Sequence, residues 1–101
     1  NIAGGLKVND PAIDLAVISA ILSSSLDISI EPGISMCGEV GLSGEIRPVN
    51  RIEQRILEAE KLGFSRIIIP HNNLKGFDTS KCKMQIVQVR KVEEAFRQLF
   101  G

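Results

Sequence analysis

The stretch GEVGLSGEIRPVNRIEQRILEAEKLGFSRIIIP, Gly38 to Pro70, decides the fold. Ile34 to Val40 reads as a strand, Gly41 to Gly44 as a tight turn, and Glu45 to Val49 as the returning strand. Gly44 supplies the positive φ that such a turn needs. Pro48 has no N–H to give a ladder, which places the second strand at an edge or a strand end. Ile52, Ile56, Leu57, Ala59 and Leu62 share one helical face, so a helix is expected from Asn50 or Arg51 to Leu62, with Gly63 just beyond its end. Arg66 to Ile69 is a short buried strand that Pro70 closes.

Upstream, residues 1–5 read as the end of a strand. Asp10 is a plausible N-cap, and Pro11 suits the first helical position, where its missing N–H costs nothing. The helix that follows is expected to reach about Ser24. Its apolar residues, from Ile13 through Val17 and Ile21 to Leu22, cover nearly the whole circumference. Such a helix is expected to be buried on most sides, inside an assembly or between a sheet and a partner. Downstream, 71–80 is a polar loop or single turn, Gln85 to Val89 alternates as a strand, and Val92, Ala95, Phe96, Leu99 and Phe100 form one helical face. Strands and helices mix along 101 residues, which gives one domain, 1–101, of α/β class.

Composition narrows the function. Twelve basic and twelve acidic residues cancel, so a free-standing, strongly basic nucleic-acid binder is excluded and any such contact must be a local patch. With no Trp, no Tyr and four Phe, an aromatic platform for base stacking is excluded too. Cys37 and Cys82 lie far apart, no CxxC or Cys/His spacing exists, and His71 is the sole histidine, so no metal site is expected. The two cysteines read as reduced thiols of a cytoplasmic protein. The run Ile13 to Leu22 contains Asp14 and is too short to span a bilayer, and no signal peptide is visible, so no membrane partner is expected. The abrupt start at Asn1, without Met, reads as a fragment of a longer protein.

The sharpest basic feature is Arg47, Arg51 and Arg55, the last two at i, i+4 on one helix. Glu58 stands three residues after Arg55, so a solvated, ion-paired face is the first reading and a phosphate track the second. Lys7 is either a solvated strand end or a contact to DNA or a neighbouring subunit. Lys81, Lys83, Arg90 and Lys91 form a looser second cluster, and Asp14 reads as a partly exposed or interface residue.

Three segments together resemble the last part of the Lon protease catalytic domain. Gly4 to Ala12 is similar to Lon's loop ending in Asp-Gly-Pro-Ser, whose serine is the nucleophile and opens a buried helix. Aligning Pro11 with that proline puts Ala12 at the nucleophile, and alanine has no heteroatom to attack a carbonyl. Gly38-Glu39, Gly44, Pro48 and Val49 match Lon's Gly-Glu, hairpin and Pro-Ile, but Asn50-Arg51-Ile52-Glu53 replaces Gly-Gly-Leu-Lys, so Glu53 stands at the catalytic lysine. Leu62 to Asn73 is similar to Lon's Gly-Ile-Lys-Thr-Val-Leu-Ile-Pro and the Asn-containing loop after it. The resemblance implies a Lon proteolytic-domain-like α/β fold, a two-layer βαβ arrangement of ribosomal-protein type without its N-terminal strands, and no catalytic residue.

The departures are Lys7, Asp10-Pro11-Ala12 with Asp14, and the run Gly38 to Val49. They look like the C-terminal domain of the bacterial RadA family, also called Sms. That resemblance implies a role in recombinational DNA repair and branch migration, with the domain as a scaffold in a ring-shaped homohexamer. It implies branched or single-stranded DNA as a partner of the longer protein. It also implies ATP and Mg for a RecA-like ATPase and Zn for a zinc finger elsewhere, with no cofactor in these 101 residues. Two other readings stay open: a Lon-type serine protease domain, and a direct DNA-binding module.

Overall fold

Asp10 and Pro11 begin the helix as their chemistry requires. The Asp10 carboxylate accepts the Ala12 N–H at 3.0 Å, Pro11–Ile13 makes a tight 3₁₀ turn, and α1 (Asp14–Leu26) continues from it. The computed structural model describes residues 10–100 in full and only the backbone of residues 2–3 and 6–7. Those four residues form β1 (Ile2–Ala3) and β2 (Leu6–Lys7), an antiparallel pair.

β3 (Ile34–Met36), β6 (Arg66–Pro70) and β7 (Gln85–Val89) form a parallel sheet in the order β3-β6-β7. Between β3 and β6 lie a small hairpin, β4 (Glu39–Val40) with β5 (Ile46–Arg47), and α2 (Ile52–Lys61). The chain ends in α3 (Val92–Phe100). The α/β class and the parallel βαβ unit are as expected.

Alternation along β6 explains how the layers form. Ile67 and Ile69 point to Ile52, Ile56 and Ala59 of α2, with Met84 completing that core. Ile68 points the other way, to Leu15 of α1 and to Ala95 and Leu99 of α3. Helices therefore cover both faces of the sheet, which makes three layers and not the two that the resemblance implied, because alternate isoleucines of β6 are buried on opposite sides. All three isoleucines are essentially fully buried, each contributing roughly 1.5–3 kcal/mol.

Two further features differ from the sequence reading. The strand expected over Ile34–Val40 breaks at Cys37-Gly38, because Gly38 leaves the sheet to clasp the start of α1. Its N–H donates to the Ala12 carbonyl at 2.9 Å and its own carbonyl accepts from Leu15 N–H at 3.0 Å. A Cβ there would lie 2.9 Å from the Ile46 Cγ2 methyl, so only glycine fits. α1 is also not buried all round by the described residues: Ile13, Val17 and Ile21, one row at i, i+4 and i+8, are 36%, 46% and 61% exposed. Among the described residues no helix is long and apolar enough to cross a membrane.

Ser19, on the inner side of α1, is fully buried, and its hydroxyl has no hydrogen-bond partner among the described residues. A buried, unsatisfied hydroxyl carries its desolvation cost with no return. Ser19→Ala is therefore expected to raise stability by about 1 kcal/mol, or ~4–8 °C in Tm, in thermal unfolding.

Candidate functional site

The turn at Asp10–Ala12 and the start of α2 meet through one side chain, Arg55. Its Nη2 donates to Asp10 Oδ2 at 2.9 Å and to Asn50 Oδ1 at 3.0 Å, and its Nε donates to the Asn50 carbonyl at 2.8 Å. The Asp10 carboxyl is held below the usual carboxylate range, first by the Ala12 N–H and then by Arg55. Ala12 itself is 2% exposed, and its carbonyl is taken by Gly38. The position that resembles a nucleophile is a methyl group closed into a hydrogen-bonded turn.

α2 presents two flanks. Arg51, Gln54, Arg55 and Glu58 border a cavity of about 480 Å³ that also reaches Asp10 and Cys37. Glu53, Leu57 and Glu60 border a second cavity, of about 260 Å³, closed by Phe77, Asp78, Lys81 and Cys82. Ile52, Ile56 and Ala59 face the core between them. At 100° per residue, positions 53 and 55 point roughly 160° apart. The structure brings Arg55 to the Asp10–Ala12 turn and does not bring Glu53 and Ala12 to one cavity.

The three arginines have different surroundings. Arg55 pairs with Asp10 rather than with the expected Glu58, because Asp10 is fixed by its cap and Asn50 holds the guanidinium toward it. Arg47 is clamped inside the hairpin, with Nη2 2.8 Å from Glu45 and Nη1 3.5 Å from Glu39. Its hydrogen bond is the main cause of the lowered Glu45 pKa. Arg51 has no ion pair among the described residues and sits at φ 57°, ψ 40°, a left-handed conformation unusual for a non-glycine residue. The Lys7 side chain lies outside the described residues. In the second basic cluster, Arg90 Nη2 is 3.0 Å from His71 Nε2 and Lys91 Nζ reaches the Ser43 carbonyl at 3.4 Å.

Two further polar side chains fasten this region. Asp14 Oδ2 accepts the Val40 N–H at 3.1 Å, which seats the hairpin on α1. Asn73 is buried and grips both backbone groups of Val49: Oδ1 accepts its N–H at 2.8 Å and Nδ2 donates to its carbonyl at 3.0 Å. The sequence reading missed Asn73, since nothing in its spacing points back 24 residues. Both cysteines are free. Burial pushes the Cys37 thiol up to about 11, which keeps it protonated at neutral pH. Among the described residues no group of three His, Cys, Asp or Glu is placed to hold a metal ion.

Residues 3–101 match the family model of the Lon protease (S16) C-terminal proteolytic domain. The chain is similar to proteins named DNA repair protein RadA. It is 50% identical over 99 residues to that of Streptococcus pneumoniae, covering 98% of this chain and 23% of the relative. It is 49% identical over 100 residues to that of Bacillus subtilis, covering 99% and 22%. It is 43% identical over 101 residues to that of Halalkalibacterium halodurans, covering 100% and 22%. The chain thus spans under a quarter of the length of these relatives.

Proposed function

The chain belongs to the family of the Lon protease (S16) C-terminal proteolytic domain, and from that premise we propose that it is a catalytically silent member, the scaffold domain of a RadA-type DNA repair protein. The observation that carries this reading is Ala12, buried and hydrogen-bonded through its backbone where a Lon nucleophile would stand. A Lon-type nucleophile needs a hydroxyl at that position and a free base within hydrogen-bond reach; Ala12 has no heteroatom, and the Asp10 carboxylate beside it is taken up by the Ala12 N–H and by Arg55. The residue that reaches the turn is an arginine, which stays protonated and cannot act as a base.

A scaffold's work is geometric: it holds copies of a longer chain so that ATP-driven units and DNA are arranged about one axis. The relatives' name supports a place in DNA repair, and branch migration by a ring of such chains is the activity this domain would organise. Two of the three arginines offered for a phosphate track are already spent on carboxylates, which favours the scaffold over a direct DNA grip.

Treatment with a fluorophosphonate probe, followed by mass spectrometry and a casein peptidase assay, is expected to give no labelled residue and no cleavage. Stoichiometric labelling of one serine would overturn the reading. Binding of branched DNA by the isolated chain at low salt, lost on Arg51→Ala, would favour the DNA-binding alternative.

A further inference from the structure

We propose that the outer edge of β7 is a docking track for an extended peptide with acidic ends, which adds to the sheet there as a further strand. This role is separate from the scaffold's and does not depend on it. β7 ends the order β3-β6-β7, so one of its edges has no neighbouring strand among the described residues. Two bonds fix which backbone groups lie on that edge. Gln85 N–H donates to the Ser65 carbonyl at 3.0 Å, and the Val89 carbonyl accepts from His71 N–H at 2.8 Å. Residues 85, 87 and 89 therefore face β6, and by alternation Ile86, Gln88 and Arg90 face outward. The Arg90 carbonyl accepts there from Ile46 N–H at 2.8 Å, where β5 crosses beyond the end of the strand. The backbone groups of Ile86 and Gln88 have no partner among the described residues. Gln85 and Gln88 are exposed, and Ile86 and Val87 are half-buried. The strand, QIVQV, carries neither proline nor charge, the usual guards of an edge. A free row of alternating N–H and C=O groups selects one kind of ligand, a backbone in extended form.

Charge decides between occupants. The neutral strand is bracketed by Lys83 before it and by Arg90 and Lys91 after it. Lys75 adds to the upper end, where it lines a cavity of about 500 Å³ with Gln88, Pro48, Asn72 and Leu74. None of these four cations has an ion pair among the described residues. Arg90 reaches His71 Nε2 and Lys91 the Ser43 carbonyl, rather than a carboxylate. The acids nearby are bonded within the chain: Glu60 accepts Lys83 N–H at 2.6 Å, Glu94 accepts the Arg90 and Lys91 N–H groups, Asp78 holds Ser80, and Glu45 pairs with Arg47. Glu93, in the first turn of α3, is the exception, without an ion pair among the described residues. A second copy would pair along this edge antiparallel, by two-fold symmetry. That sets Lys83 of one chain against Arg90 and Lys91 of the other, and opposed like charges are destabilising. A strand with a carboxylate at each end meets the same two brackets whichever way it runs.

The probe is a synthetic peptide, acetyl-Glu-Thr-Val-Thr-Val-Thr-Val-Glu-amide, added to the isotope-labelled chain and followed by NMR. Binding is expected to slow hydrogen exchange most at the Ile86 and Gln88 amides. Replacing both glutamates of the peptide by lysine is expected to weaken binding about tenfold, and so is Lys83→Glu with Arg90→Glu in the chain. N-methylation of one alternate set of peptide amides is expected to abolish binding, and of the other set to leave it. Gln88→Pro removes one outward N–H while the bonds from 85, 87 and 89 to β6 remain, and is expected to weaken binding about tenfold. Should that chain not fold, the two N-methylated peptides read the same contact in the parent chain. No protection of Ile86 and Gln88 at millimolar peptide, or equal binding of the two N-methylated peptides or of the lysine peptide, would overturn the proposal. So would protection of the same amides by raising the chain's own concentration, which marks a second copy as the occupant. Equal protection by a short DNA duplex would do so too, since it marks a track for phosphates and not for a strand.

Discussion

Asn73→Leu is expected to lower the unfolding free energy by about 3 kcal/mol and Tm by roughly 10–20 °C. The side chain is buried and makes two bonds to one residue, accepting from Val49 N–H at 2.8 Å and donating to its carbonyl at 3.0 Å. Leucine has similar volume, so little is lost in packing. What it removes is the partner of two part-buried backbone groups, each costing about 1–3 kcal/mol when left unpaired. Asn73→Asp keeps an acceptor for the N–H and loses the donor, so an intermediate loss is expected. Val49 leads directly into Asn50 and the left-handed Arg51, so the entry to α2 should loosen before the sheet does. Urea unfolding followed by circular dichroism measures the first effect, and hydrogen exchange at residues 49–55 the second. A loss under 1 kcal/mol for the leucine variant would mean that water takes over both bonds.

Local pattern carried much of the architecture in advance. The turn glycine Gly44 has φ 81°, Gly63 follows α2 with φ 93°, and Gln85–Val89 and Val92–Phe100 are a strand and a helix at the residues expected. Each of these rests on turn chemistry or on a period of two or 3.6, which a single segment displays by itself. The site was harder to read because its contacts span the chain. Arg55 looked like the partner of Glu58, three residues on, yet it reaches 45 residues back to Asp10. Gly38 gave no sign that it must slip between α1 and β5, and Asn73 no sign that it reads Val49. The apolar circumference of α1 was plain, but periodicity cannot say which part of such a helix a given stretch of chain will cover. Here the row Ile13, Val17 and Ile21 is left outside.

Restoring the two residues that resemble Lon's catalytic pair is expected to leave the chain without peptidase activity. Ala12→Ser would add a hydroxyl inside a turn whose N–H is held by Asp10 and whose carbonyl is held by Gly38. Glu53→Lys would put the amine on the flank of α2 that borders Phe77 and Cys82, while the flank facing Asp10 carries Arg55. Without its base a serine nucleophile is lost almost entirely, on the order of 10⁶ in kcat. Arg55→Lys is no better route, because an amine beside the Asp10 carboxylate is held in its charged form and cannot take the serine's proton. The Ala12→Ser, Glu53→Lys chain should therefore resist a fluorophosphonate probe and leave casein intact, while unfolding within about 2 kcal/mol of the parent chain. Labelling at residue 12 would mean that the start of α2 can turn its 53 side chain over to the Asp10–Ala12 side, and that silence here is only two substitutions deep. No labelling would place the loss beyond the two side chains, in a turn fastened by Arg55 and a helix flank that carries position 53 away from it.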